Sequence, residues 1–167
     1  MIPQSERQRI IALIQREVVP AIGCTEPMAV ALCVARATET LGSLPEKITA
    51  RLSANILKNA MGVGIPGTGG MIGLPIAIAL GALVGRSEYQ LEVLRDTTPE
   101  AVERGREYID WKCISIGLKE GITEKLYIEV EVEASGHRAV AVIAGGHTNF
   151  VYVEHDLSLI LISEPTR

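Results

Sequence analysis

Apolar and polar positions change rhythm about two-thirds of the way along the chain. In the first part they recur at helical spacing. Ile10, Ile11, Leu13, Ile14 and Val18 form one stripe. It is entered through Ser5-Glu-Arg-Gln8, which fits a capping box, and Pro20 ends it. A second helix is expected after Cys24-Thr25-Glu26-Pro27. Thr25 serves as its cap, and Glu26 and Pro27 suit the first turn, where a carboxylate meets the positive end of the dipole. It continues through Ala29, Leu32, Cys33 and Ala37 to about Leu41, and Gly42 stops it. Lys47 to Ser53 alternates Ile48, Ala50 and Leu52 with polar residues and predicts a strand. Asn55 to Asn59 predicts a short helix or an extended turn. A buried helix is expected from Met71 to Val84, and Ser87 and Thr98-Pro99-Glu100 open two more.

From Cys113 onward the period becomes two. Leu126, Ile128, Val130 and Val132 alternate with Glu129, Glu131 and Glu133, which predicts a strand with a solvated acidic face. Ser135-Gly136 marks a turn, and His137 to Ala144 returns as the partner strand. Gly145-Gly-His-Thr-Asn149 interrupts. Phe150 to Val153 and Leu157 to Ser163 predict two further strands around Asp156. Helices first and a largely antiparallel sheet afterwards define an α+β class. At 167 residues the chain suits a single domain over 1–167.

Composition narrows the function. Nearly half the residues are apolar and few are aromatic, so small aliphatic side chains and glycine fill the core. The net charge of −4 and the scattered lysines and arginines offer no footprint for nucleic acid. Ala60 to Gly85 carries no charge. Its first half reads as a glycine loop, and its helical part is too short for a bilayer of roughly 30 Å at about 1.5 Å per residue, so no membrane span is expected. The polar start, Met1 to Arg9, and three cysteines without a paired framework point to a reducing cytoplasm. The alanine- and glycine-rich helices can pack closely against another chain, so a homo-oligomer is expected.

Three clusters could carry chemistry. Cys24 stands just before a helix start, where the dipole favours a thiolate that could attack a substrate or bind a metal; a small buried thiol is the plainer alternative. Thr25 and Glu26 add a hydroxyl and a carboxylate beside it. The second cluster is Asn55, Lys58 and Asn59, followed by Gly62-Val-Gly-Ile-Pro-Gly67-Thr68-Gly69-Gly70. Free backbone amides in such a loop can hold an anion, and a tight connection between packed elements serves equally well. No strand leads into it and Pro66 lies inside it, so its formal GxGxxG match does not mark a dinucleotide site. The third cluster is Gly145-Gly-His147-Thr148-Asn149, which offers an acid–base group beside hydrogen-bonding side chains, or simply forms a turn. Cys33 and Cys113 are expected in the core, and His137 and His155 at the surface.

Taken in order, Ala21-Ile-Gly-Cys-Thr-Glu-Pro27, Asn55-Ile-Leu-Lys-Asn59, Gly64-Ile-Pro-Gly-Thr-Gly69 with Gly73-Leu-Pro-Ile-Ala77, and Ala144-Gly-Gly-His-Thr-Asn149 resemble the L-cysteine desulfidase family, related to the α chain of iron-sulfur L-serine dehydratases. The resemblance covers nearly the whole chain. It implies a lyase that splits L-cysteine into pyruvate, ammonia and sulfide, or dehydrates L-serine. It implies a [4Fe-4S] cluster in which three thiolates leave one iron open as a Lewis acid. Cys24 matches the family's cluster cysteine. Glu26 and His147 become the candidate catalytic groups. Thr25, Asn55, Asn59, Gly67, Thr68, Gly69, Thr148 and Asn149 become the candidate substrate contacts. The family's other cluster cysteines lie in a carboxyl-terminal half, and Cys33 and Cys113 do not match them. The resemblance therefore implies an amino-terminal half, completed by a carboxyl-terminal half or a complementary subunit, and inactive alone. A non-catalytic module that binds an amino acid or mediates dimerisation is the alternative.

Overall fold

The structure, a computed structural model, describes residues 3–17 and 24–162. Helix α1 spans Gln4–Glu17, one residue ahead of the expected start at Ser5. Ile10 and Ile11 on it are exposed. Val18 and Pro20, expected to close this helix, lie outside the described residues, as does Ala21-Ile-Gly23.

Helix α2, Thr25–Leu41, is the centre of the molecule. Met28 to Ala35 are at most 1% exposed, so this segment is enclosed on every side. Cys24, not Thr25, is its cap residue, and no side-chain hydrogen bond closes that end. The C-terminus is as expected: Gly42 takes φ 85° and its N–H donates to Thr38 O. Strand β1, Lys47–Leu52, follows, then helix α3, Ala54–Met61, and helix α4, Leu74–Leu83. The 71–84 stretch thus enters its helix three residues late, because Gly64 and Ile72 bridge in a small antiparallel hairpin first. Ser87–Glu92 is a 3₁₀ turn broken at Gln90 rather than a full helix. Helix α5, Pro99–Asp110, begins as Thr98 predicts, with its hydroxyl accepting from Ala101 N at 3.1 Å.

Strands β2 (Ile114–Leu118), β3 (Tyr127–Ala134), β4 (His137–Ala144), β5 (Phe150–His155) and β6 (Ser158–Ile162) complete a six-stranded sheet in the order β2-β1-β3-β4-β5-β6. Only the β1–β2 pair is parallel. The α+β class is as read from the sequence. Alternation sets the faces. Ile48, Ala50, Leu52, Ile128, Val130, Val132, Ala139, Ala141, Ile143 and Val153 point into the core, where α2 lies against β3 and β4. Helix α4 covers the other side of α2, and α5 lies against α4. Gly81 makes the α2–α4 approach possible: a Cβ there would stand 2.8 Å from Ala31 O. Among the described residues, no helix is long and apolar enough to cross a membrane.

The acidic stripe departs from expectation. Glu129 and Glu131 stand on the sheet face opposite α2, yet their side chains are only 15% and 18% exposed. Arg51 Nη1 reaches Glu129 at 2.7 Å and Glu131 at 3.6 Å. Lys119 Nζ lies 3.3 Å from Glu129, and Tyr127 donates to it at 2.8 Å. Arg138 ties Glu131 to Glu154, and Tyr152 also donates to Glu154. The register puts Arg51 opposite Glu129 and Val142 opposite Tyr152, so the stripe is a paired lattice rather than a solvated face.

Candidate functional site

One end of the sheet gathers most of the predicted site. Tyr127 pairs with Ala144 and Leu52 with Ile128, so the exit of β1, the entry of β3 and the β4–β5 loop lie side by side. Ser53 binds them together: its hydroxyl donates to Lys125 O at 2.8 Å and accepts from Tyr127 N at 3.1 Å. The 145–149 loop is equally fixed. Gly145 N donates to Leu126 O and Asn149 N to Gly146 O, each at 3.1 Å, while Asn149 Nδ2 donates to Ala144 O at 2.9 Å. Gly145, at φ 79°, makes the turn that lets the strand fold back.

That loop carries His147 to the start of α2. His147 Nε2 stands 3.8 Å from Glu26 Oε1, and both side chains are partly exposed. The distance is too long for a hydrogen bond and short enough for an electrostatic pair when the imidazole is protonated. Cys24 is exposed two residues before Glu26, at the amino end of α2. The Cys-Thr-Glu-Pro and Gly-Gly-His-Thr motifs, more than 100 positions apart, therefore meet. Thr25 is half-buried in the first turn of α2.

The other candidates are placed differently. Asn55, on α3 beside the same sheet end, lines a cavity of about 310 Å³ with Lys119 and Lys125. Asn59 is exposed further along α3. Thr148 lines a separate cavity of about 390 Å³ with Arg36 and Phe150. The glycine loop is a hairpin whose hydrogen bonds close on itself. Thr68 is buried, its hydroxyl donates to Ile65 O at 2.6 Å, and it accepts from Met71 N at 3.1 Å. Gly67 and Gly69 take positive φ at the exposed tip, and Gly67 lies near Thr97. Thr68 is thus spent on the turn, and the hairpin follows a helix, which leaves the formal GxGxxG spacing without a nucleotide-binding frame.

A cavity of about 470 Å³ lies on the open sheet face and is lined by Arg51, Glu129, Arg138, Glu154, Val140 and Val142. Its charges are satisfied by one another, so volume alone does not make it the reactive centre; the amino end of α2 offers an imidazole beside a carboxylate, with an exposed thiol two residues before that carboxylate.

The donor set bears on the implied cluster. A [4Fe-4S] centre needs at least three thiolates. Cys33 is fully buried on α2, its Sγ lies 3.2 Å from Ala141 O, and burial pushes its thiol far above the ordinary range. Cys113 is half-buried with Sγ toward Tyr108 O. Among the described residues only Cys24 presents an exposed thiol. The chain by itself does not fit a cluster; Cys24 is the one thiol among the described residues that could offer a ligand to one.

The sequence is similar to a set of proteins with one shared designation. It is 71% identical over 163 residues to a UPF0597 protein of Bacteroides fragilis, which covers 98% of the chain and 38% of that relative. A UPF0597 protein of Phocaeicola vulgatus is 70% identical over 166 residues, again 38% of its own length. One from Porphyromonas gingivalis is 50% identical over 157 residues, 36% of its length. The chain thus spans well under half of the curated relatives it matches. No family model matches it, and no solved structure matches it. These relatives correct the expected kinship. They carry the UPF0597 designation, which states no activity, and not a desulfidase or dehydratase name, so the chain is not identified as the amino-terminal half of an L-cysteine desulfidase.

Proposed function

We propose that the chain supplies one wall of the active site of an iron-sulfur-dependent lyase that breaks L-cysteine into pyruvate, ammonia and sulfide, or dehydrates L-serine. The observation that carries this is the approach of His147 to Glu26 at the amino end of α2, where Cys24 stands exposed two residues before Glu26. Cys24 is the cluster ligand from this chain, and the remaining ligands come from a carboxyl-terminal region or a second subunit. The relatives' greater length leaves room for such a region. The cluster, when bound, would supply Lewis acidity toward the leaving group. His147 is the group of this chain that would act as general base, with Glu26 standing 3.8 Å from its Nε2. Thr25 and Asn55 supply hydroxyl and amide contacts for a small amino acid at the same sheet end, in the cytoplasm.

The test is pyruvate release from L-cysteine and from L-serine by the native protein isolated anaerobically, with a His147→Gln variant beside it. Loss of a general base should lower kcat by roughly 10²–10⁴-fold. Unchanged turnover in the variant removes His147 from the reaction. Saturable amino-acid binding with no pyruvate from either substrate supports instead a binding or dimerisation module. That second reading draws on the edge strand β6, where Leu159, Ile160 and Ile162 are all more than half exposed.

A further inference from the structure

The opposite end of the sheet holds a second group of side chains. His137 opens β4, His155 closes β5, and Asp156 begins the turn into β6. His137 and His147 stand at opposite ends of β4, on the order of 20 Å apart at a strand's rise per residue. His137 Nδ1 lies 2.7 Å from Asp156 Oδ2, and His155 Nε2 lies 3.4 Å from the same oxygen. The two imidazoles are nearly parallel, with centroids 6.1 Å apart. One ligand atom from each residue falls within 4.8 Å of the other two.

We infer that His137, His155 and Asp156 form a binding site for a divalent transition-metal ion of the zinc, nickel or copper kind. Two imidazoles and one carboxylate suit these borderline ions better than magnesium or calcium, which prefer an all-oxygen shell. Metal–nitrogen bonds near 2.0–2.1 Å place neighbouring ligand atoms roughly 3.3 Å apart. The present spacings straddle that value, so modest side-chain rotations close the shell around an ion. Side-chain exposures of 63%, 36% and 37% leave those rotations free and keep further positions open to water.

The carboxylate is already oriented. Arg138 N donates to Asp156 Oδ1 at 2.7 Å, which turns Oδ2 toward the imidazoles. The backbone holds the same pose: Asp156 and Leu157 both take positive φ, 48° and 71°. Arg138, next to His137 in the chain, has its guanidinium engaged by Glu131 and Glu154. A depression of about 410 Å³ opens beside His137, lined by Glu46 and Glu133 and equally by Lys47 and Arg138, so it gives an ion a solvent approach without a charge bias of its own. A bound ion would clip the β5–β6 turn to the start of β4.

Zinc titration of the purified, metal-stripped chain by calorimetry tests the site. The expected result is one zinc ion per chain at this site, with affinity at least tenfold weaker in His155→Ala and in Asp156→Asn and unchanged in Cys24→Ser. Asparagine at 156 keeps an acceptor for Arg138 N, so the turn is preserved while the carboxylate charge is lost. Copper(II) should broaden the NMR ring-proton signals of His137 and His155 before those of His147. Absence of saturable zinc binding, wild-type affinity in either the His155 or the Asp156 variant, or binding lost only with Cys24 would overturn the assignment.

Discussion

Individual residues are read most clearly where chemistry and burial disagree. Glu129 is the example. Burial alone would raise its carboxyl, but hydrogen bonds from Tyr127 and Arg51, with Lys119 beyond, hold it below the usual carboxylate range. A depressed folded-state value stabilises the fold above the unfolded-state value near 4.5, and that contribution is lost as the pH falls through the folded value. Glu129→Gln should therefore lower stability at neutral pH by roughly 1–2 kcal/mol, from the weakened charged hydrogen bonds. The gap between wild type and variant should narrow below about pH 4.5 in denaturant melts; a gap that does not change with pH would mean the carboxylate's charge contributes nothing. None of this was legible in the stripe Glu129, Glu131 and Glu133, because the partners Arg51 and Arg138 arrive on neighbouring strands. The His137–His155–Asp156 group was equally hidden. Its members meet only through the β4–β5 register, in which Ala139 faces His155, and the left-handed turn at Asp156.

At the scale of elements, the sequence was legible wherever a periodic run met a strong terminator. Gly42 ended α2, Thr98-Pro99 opened α5, and Ser135-Gly136 turned β3 into β4 with both residues at positive φ. It was less legible at the entry to α4. Uniform apolarity from Met71 gives no phase, and the Gly64–Ile72 bridge pulls the first residues into a hairpin. Ser87 opened a 3₁₀ turn instead of a helix because Gln90 leaves helical geometry at φ 53°. What composition did foretell is close packing. Gly81 lies against the backbone of α2, with Ala31 O 2.8 Å from where a Cβ would stand. A carbonyl in a buried helix cannot swing aside as a side-chain tip can. Gly81→Ala should cost roughly 1–3 kcal/mol through overpacking, despite alanine's better helix propensity. Calorimetric melting of the variant checks it, and an unchanged or raised Tm would mean that α4 shifts freely on α2.

For the molecule as a whole, the architecture places the candidate chemistry at two opposite ends of one sheet. At the α2 end, order along the chain was enough to single out Cys24, Glu26 and His147, while the approach of His147 to Glu26 needed the 145–149 loop to fold across the entry of β3. The polarity of the glycine loop could not reveal that the Thr68 hydroxyl hydrogen-bonds within its own turn. The helical layers bury Cys33 and half-bury Cys113, and among the described residues Cys24 is the one thiol presented outward. Any cluster that this chain helps to hold would therefore depend on Cys24 and on ligands from outside it. The most direct test is the iron and acid-labile sulfide content of the native protein isolated without oxygen, measured together with pyruvate release, for wild type and Cys24→Ser. Cluster iron and turnover are expected in the wild type, with loss of both in the variant. A lyase active without iron and sulfide, or a cluster that survives intact in Cys24→Ser, would contradict this expectation.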